Sequence, residues 1–130
     1  MDKKLEQVMA PLMRDIAATA EVAMRLEDEP WEFSPEKYSS AVLRAPDGSG
    51  TGVCVDRYGS LADRFVAVED VVREAVIEAR AEAGLPSNWP RCPAHPTKHA
   101  LGLNGDPWPA WCCPWADVGV IVARVGALSR

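Results

Sequence analysis

The stretch from Trp89 to Trp115 reads W-P-R-C-P-A-H-P-T-K-H-A-L, then a short spacer with glycine and proline, then P-A-W-C-C-P-W. It holds several side chains that bind metals well, namely Cys92, His95, His99, Cys112 and Cys113. The spacing Cys92-x2-His95 puts two ligands on one tight turn, which is typical of zinc knuckles. Two thiolates with two imidazoles suit tetrahedral Zn²⁺ better than iron. The stretch therefore predicts a structural zinc site.

Three other interpretations of these residues stay open at this point. Cys92 and Cys113 can form a disulfide, the cysteines can be free buried thiols, or the histidines can simply cap turns. Cys112 and Cys113 are adjacent, so their side chains point in different directions and only one of them is expected to bind the ion. Zinc would also stabilise a C-terminal segment that has many prolines and glycines and few other means to fold.

A catalytic role for the metal is not expected. A catalytic zinc needs an open coordination position and usually a general base. Residues 85–130 contain no glutamate, and Asp106 and Asp117 are their carboxylates. Four candidate ligands leave no open position. The sequence therefore predicts no catalytic residue, no further cofactor and no enzyme activity.

Three elements are predicted before this stretch. Apolar residues recur every three or four positions from Lys4 to about Glu27, which predicts an amphipathic helix that packs on the core or docks a partner. Pro11 predicts a kink or a fresh helix start. Two β-rich runs, Tyr38–Arg44 and Thr51–Arg57, flank the turn residues Pro46-Asp47-Gly48 and predict a β-hairpin.

The third element is a central helix from about Leu61 to Ala83, with Ser60 as its N-terminal cap and Gly84 as its C-terminal cap. One face is apolar. The other face carries charged residues that are expected to be solvated, namely Asp63, Glu69, Asp70, Arg73, Glu74, Glu78, Arg80 and Glu82. The β-branched run Val118–Val125 then predicts a final strand that is buried or half-buried.

These elements predict an α+β fold. Residues 1–30 are expected to form the N-terminal helix, residues 31–86 the hairpin and central helix, and residues 87–130 a small zinc-ribbon-like module with a final strand. The three parts are expected to make one continuous domain. Cys54, which alternates with valines in the second hairpin strand, is interpreted as a small apolar strand residue.

Composition excludes several classes of protein. Residues 1–84 carry ten Lys/Arg against seventeen Asp/Glu, and residues 85–130 carry four against two, which gives −7 and +2. No basic stripe for phosphate contacts is visible, so nucleic acid is an unfavoured partner. No apolar run approaches the roughly 20 residues that span a bilayer, and the N-terminus lacks the apolar core of a secretory signal. A cytoplasmic location is therefore expected, with no membrane contact.

Four of the five tryptophans cluster around the candidate ligands, at Trp89, Trp108, Trp111 and Trp115. They are expected either to pack over the metal site and shield it or to leave one or two rings exposed for recognition. The expected partner is therefore a protein, or a second copy of this chain, bound through the N-terminal helix and this tryptophan-rich module.

The same residues carry a resemblance. The pattern Trp89-Pro90-x-Cys92-Pro93-x-His95-Pro96-x-x-His99-x-Leu101, then Trp111-x-Cys113-Pro114 and V-x-x-V-G-x-L ending at Leu128, resembles a group of small uncharacterised proteins of actinobacteria and their phages or prophages. The resemblance covers about residues 60–128. It implies Cys92, His95, His99 and Cys113 as the metal ligands and leaves Cys112 in a variable position. This chain departs from the pattern at Ala100, where proline is usual, and at Trp115.

The functional expectation follows from the metal site and the resemblance together. It is a non-enzymatic, zinc-stabilised interaction or assembly protein, a phage or prophage component present in the host cytoplasm or the virion. The alternative is a small regulatory protein that contacts nucleic acid through the zinc module and Arg91, Lys98 and Arg124.

Overall fold

Two helices and six short strands make up the computed structural model, which describes residues 1–30, 36–105, 108–115 and 120–129. The helices are α1 (Lys3–Thr19) and α2 (Leu61–Glu82). The strands are β1 (Arg25–Glu27), β2 (Tyr38–Arg44), β3 (Gly50–Asp56), β4 (Gly102–Asn104), β5 (Ala110–Cys113) and β6 (Val120–Arg124). The predicted α+β class is confirmed.

The strands form two antiparallel sheets in the orders β1-β2-β3 and β4-β5-β6. The predicted hairpin is confirmed as β2–β3, with a register that runs from Tyr38 opposite Asp56 to Arg44 opposite Gly50. In its turn the Gly48 N–H donates to the Ala45 carbonyl over 3.0 Å, and Gly48 has φ +90°. Glycine adopts this left-handed conformation without the steric penalty that a Cβ would add.

The first helix is shorter than its apolar pattern predicts. It ends at Thr19, so the prediction of helix to Glu27 is wrong for the last eight residues. Glu21 has φ +60°, which reverses the chain, and Arg25–Glu27 then pair with β2 as an edge strand. The helix runs without interruption through Pro11, so the expected fresh start there is also wrong. Its N-terminal cap is Asp2, whose carboxylate accepts the Lys4 N–H over 2.8 Å.

The second helix begins and ends at the predicted caps. The Ser60 hydroxyl accepts the Asp63 N–H over 3.1 Å. At the other end, the Gly84 N–H donates to the Ala81 carbonyl and the Leu85 N–H donates to the Arg80 carbonyl, over 3.0 and 2.9 Å. This pair of bonds is a Schellman motif, and Gly84 takes its left-handed position at φ +73°.

The sequence predicted that the charged face of α2 is solvated. This prediction is wrong for part of the face. Arg80 is completely buried. Its guanidinium donates to the Ala20 carbonyl over 2.6 Å and to the Pro86 carbonyl over 2.9 Å. It therefore satisfies carbonyl groups just beyond the ends of both helices. Arg73 is also largely buried, and its role is described with the metal centre below.

One contiguous core joins both sheets and both helices. The apolar stripe of α1 is buried in this core at Leu5, Val8, Met9, Leu12 and Ile16. Of the two roles expected for this stripe, core packing is therefore the one that the structure shows. The same core contains Trp89, Leu101 and Trp111 from the C-terminal part of the chain.

The final strand is found, but two of its side chains differ from the expectation. β6 pairs with β5 and completes the second sheet. Val120 and Ile121 are exposed, so the prediction of a buried or half-buried strand is wrong for them. Val118 and Gly119, the expected start of the strand, lie outside the described residues. Neither α1 nor α2 is long and apolar enough to cross a membrane.

Candidate metal centre

Four side chains from two separate segments converge beside β5. They are Cys92, His95, His99 and Cys113, and one ligand atom of each lies within 4.8 Å of the corresponding atoms of the other three. Cys92 and Cys113 are buried, and the two histidines are half-buried. The structure therefore brings together the four predicted ligands as a cluster that can hold a metal ion.

A closed loop presents three of the four ligands. Arg91 and Ala100 form an isolated antiparallel bridge that brings the ends of the loop together. Inside the loop the His95 N–H donates to the Cys92 carbonyl over 3.1 Å, and the His99 N–H reaches the His95 carbonyl at 3.5 Å. These tight turns place the two imidazoles side by side. Cys113, the last residue of β5, supplies the fourth ligand from the adjacent sheet.

Four of the six distances between the ligand atoms are close to those expected around one small ion. Sγ of Cys92 lies 3.6 Å from Nδ1 of His95, and Sγ of Cys113 lies 3.5 Å from the same nitrogen and 3.7 Å from Nε2 of His99. The two nitrogens are 3.1 Å apart. Metal–ligand bonds of about 2.3 Å to sulfur and about 2.0 Å to nitrogen, at tetrahedral angles, imply about 3.5 Å between S and N and about 3.3 Å between two N.

The hydrogen bond at the far side of His99 suits a metal ligand. Nδ1 of His99 lies 2.9 Å from the Ala100 carbonyl oxygen, which can only accept a hydrogen bond. Nδ1 therefore carries the proton, and Nε2, the atom that faces the cluster, is left with a free lone pair. His95 faces the cluster through Nδ1 instead.

The adjacent cysteines are separated as expected. Cys113 points into the cluster, whereas Sγ of Cys112 lies 3.6 Å from the Ala110 carbonyl on the other face of β5. Burial raises the pKa of the Cys112 thiol, which favours its protonated form. All four cysteines are free, including Cys92 and Cys113, so no disulfide joins the two segments. Cys54 lies in β3, in the other sheet, as the strand residue that the sequence predicted.

The four tryptophans near the ligands in the chain differ in their exposure to solvent. Trp89 and Trp111 are buried in the core, and their rings pack edge to face with centroids 6.1 Å apart. Trp108 packs in the same way against Phe65 at 5.0 Å. Trp115 is 59% exposed and lies against both ligand imidazoles, at 4.9 Å from His95 and 4.5 Å from His99 between ring centroids. The Trp115 ring therefore covers the metal site, and the ring itself remains accessible to solvent.

Two charged residues tie the metal module to the helices. One is Arg73, for which the prediction of a solvated side chain is wrong, and the other is Asp15, to which the sequence pattern assigned no role. The Arg73 guanidinium donates to the Trp89 carbonyl over 3.3 Å and to the Leu101 carbonyl over 2.7 Å. The buried Asp15 carboxylate accepts the Trp111 indole N–H over 2.7 Å. One signal for Asp15 was present in the sequence, because this acidic residue falls on the apolar stripe of α1 between Leu12 and Ile16. Arg73 gave no comparable signal.

Comparison with models of protein families, with curated protein sequences and with solved structures found no significant match. The function of the chain is therefore inferred from the geometry of its own site.

Proposed function

We propose that Cys92, His95, His99 and Cys113 hold a structural Zn²⁺ ion, and that the chain is a non-enzymatic, zinc-stabilised interaction or assembly protein. The observation that carries the proposal is the convergence of the four ligand atoms, which all lie within 4.8 Å of one another. Zn²⁺ has no geometric preference of its own and readily accepts two thiolates with two imidazoles. Iron in such a set is the less suitable occupant.

A structural role is favoured over a catalytic one. Four protein ligands complete a tetrahedral shell, so no position remains for water or substrate. Within the described ranges, the cluster contains no carboxylate that would act as a general base. Both thiolates are buried, which limits the approach of a substrate to the ion. The centre therefore supports folding of the C-terminal module and no reaction.

The surface beside the centre supports an interaction role. Trp115, Val120 and Ile121 are large apolar side chains that are all exposed, and they follow Cys113 closely in the chain. Tryptophan is strongly enriched at the energetic centres of protein interfaces. We propose that this apolar surface contacts a protein partner in a phage or prophage assembly, the context that the resemblance of the tail implies.

Contact with nucleic acid is the less favoured function. The Arg91 side chain is directed to the Pro96 carbonyl at 3.4 Å, and the Arg124 guanidinium lies over the Trp108 ring at 5.3 Å. Of the three cations suggested for phosphate contact, two are therefore already engaged within the module. A DNA-binding assay with a random duplex would instead support this alternative if the affinity falls steeply as salt is added. The slope of log affinity against log salt reports the number of phosphate contacts.

Metal analysis tests the proposal directly. The wild-type protein, purified without added metal, is expected to contain one zinc per chain, and the Cys113→Ser variant is expected to lose it. Cys112→Ser is the matched control, because the neighbouring thiol lies outside the cluster. Metal-free wild-type protein, or equal zinc loss in both variants, would contradict the assignment.

A further inference from the structure

A concave surface lies between the C-terminal half of α2 and the hairpin turn, and none of its lining residues is a metal ligand. It encloses ≈ 510 Å³ and is here named the α2–hairpin groove. Its lining includes the apolar residues Met24, Leu43, Ala75 and Ala79, which are called its floor below. This volume lies within the range of about 300–1,000 Å³ found for ligand sites, and its floor is apolar as in such sites. The groove is therefore large enough for several side chains of a partner.

Acidic residues also line the groove and are called its rim. Asp47 lies on the hairpin side, and Glu78 and Glu82 lie on the α2 side, while none of the described lysines or arginines lines the groove. Hydrogen bonds from the Ser49 hydroxyl and N–H, at 2.6 and 2.9 Å, lower the pKa of Asp47 and keep it ionised. The rim therefore contains three carboxylates.

The two glutamates of the rim have no cation of their own. In the part of the chain that the structure describes, neither Glu78 nor Glu82 forms an ion pair, whereas Glu69 on the same helix pairs with Arg73. Arg44, at the end of β2 next to the turn, is already bound by Glu27 and Glu29 at 3.2 and 3.0 Å. Among the described residues, no ion pair therefore compensates the two glutamates of the rim.

Glu78 and Glu82 are also unfavourable for the helix that carries them. They are four residues apart on one face, where like charges repel each other. They lie in the last two turns of α2, where the macrodipole favours positive side chains. Both carboxylates therefore destabilise the helix that carries them, and both border an apolar floor. This combination indicates that they make contacts outside α2.

We infer that the α2–hairpin groove binds a cationic amphipathic segment of a partner protein. Aliphatic side chains of that segment would pack on the apolar floor. Its lysine or arginine side chains would lie against Asp47, Glu78 and Glu82. The two floor residues that α2 supplies, Ala75 and Ala79, are small and let the backbone of the segment approach closely. This site is independent of the metal centre and of the surface around Trp115.

A peptide titration tests the inference on the full, metal-loaded chain. The probe is a fluorescent synthetic helix of about 14 residues with leucine on one face and lysine on the other. It is expected to bind the wild type and to bind the double variant Glu78→Gln/Glu82→Gln about three- to tenfold more weakly, as expected for the loss of two exposed ion pairs. Added salt should weaken binding to the wild type more than binding to this variant.

The matched control is the double variant Asp70→Asn/Glu74→Gln, which has the same spacing on α2 and the same change in net charge. Neither residue lines the groove. Wild-type affinity in the control, together with amide chemical-shift changes at Ala79 and Thr51 on binding, would support the site. The inference is overturned by absence of binding, by equal weakening in both double variants, or by binding that does not depend on salt.

Discussion

Asp15 connects the N-terminal helix to the C-terminal end of the chain. It is completely buried, and its carboxylate accepts three hydrogen bonds. These come from the Trp111 indole at 2.7 Å, the Gly126 N–H at 2.7 Å and the Leu128 N–H at 3.0 Å. A buried carboxylate with three donors is well satisfied, but each donor would become a buried unsatisfied group without it.

The Asp15→Ala variant is therefore expected to lose about 3–5 kcal/mol of unfolding free energy. Asp15→Asn is expected to lose about half as much, because its amide oxygen keeps the two donors that share Oδ2 and its NH₂ group faces the third. Urea denaturation measures both values. Asp70→Asn, an exposed change of the same kind, is the control, and equal effects at positions 15 and 70 would contradict this role.

Trp115 is expected to slow the exchange of the bound metal, because its ring lies on both ligand imidazoles. Loss of this aromatic contact in Trp115→Ala should speed metal transfer to a competing chelator about three- to tenfold. Trp115→Phe should give an intermediate rate. Ile121→Ala removes another exposed apolar side chain of the same module and should exchange at the wild-type rate. Identical rates in all four proteins would refute the covering role.

At the scale of elements, α2 depends on its N-terminal cap. Ser60→Ala removes the acceptor of the Asp63 N–H and is expected to cost about 1 kcal/mol of stability. Ser87→Ala, in an exposed loop, is expected to change stability by less than about 0.5 kcal/mol. Thermal or urea unfolding of the two variants makes the comparison. A cost at Ser87 as large as that at Ser60 would show that the cap is not the cause.

The elements also show what local pattern can predict. Ser60, Gly84 and Pro46-Asp47-Gly48 act through neighbours only a few residues away, so the boundaries of α2 and the β2–β3 hairpin were predictable. The end of α1 was not. Ala20, Ala23 and Met24 continue the apolar spacing of the helix, but Glu21 turns the chain so that β1 can pair with β2. That choice depends on a strand some 20 residues further along, which a periodic pattern does not contain.

For the whole molecule, metal removal is expected to loosen the C-terminal module while both helices remain. The helices and the first sheet bury their apolar faces against one another, whereas the loop of residues 91–100 contributes only Cys92 to the core. A chelator, or Cys113→Ser, should therefore lower the unfolding free energy by about 3 kcal/mol or more and change the near-ultraviolet dichroism of the tryptophans. Far-ultraviolet helical signal should persist. Complete loss of that signal on chelation would contradict this division.

The ligands of the candidate site were predictable because, like the caps, most of them are close together in the chain. The charged residues that hold the surrounding structure in place were not predictable. Cys92, His95 and His99 lie within eight residues, and their chemistry alone indicates a metal. Residue chemistry alone did not separate Cys113 from Cys112. The resemblance favoured Cys113, and the face of β5 that each side chain occupies agrees with it. Arg80, which looked like a solvated charge on α2, bonds to Ala20, 60 residues away. Asp15 and Arg73 likewise act over long separations that composition and spacing do not reveal.

The bonds of Asp15 also determine when the protein can finish folding in the cell. Leu128, one of its donors, is made 113 residues later. At about 5–20 residues per second, a ribosome needs roughly ten seconds to add that length of chain. During this interval α1 has been synthesised, but part of the surface that covers it does not yet exist. Nascent chains should therefore expose an apolar helix to chaperones until translation has passed the C-terminal strand.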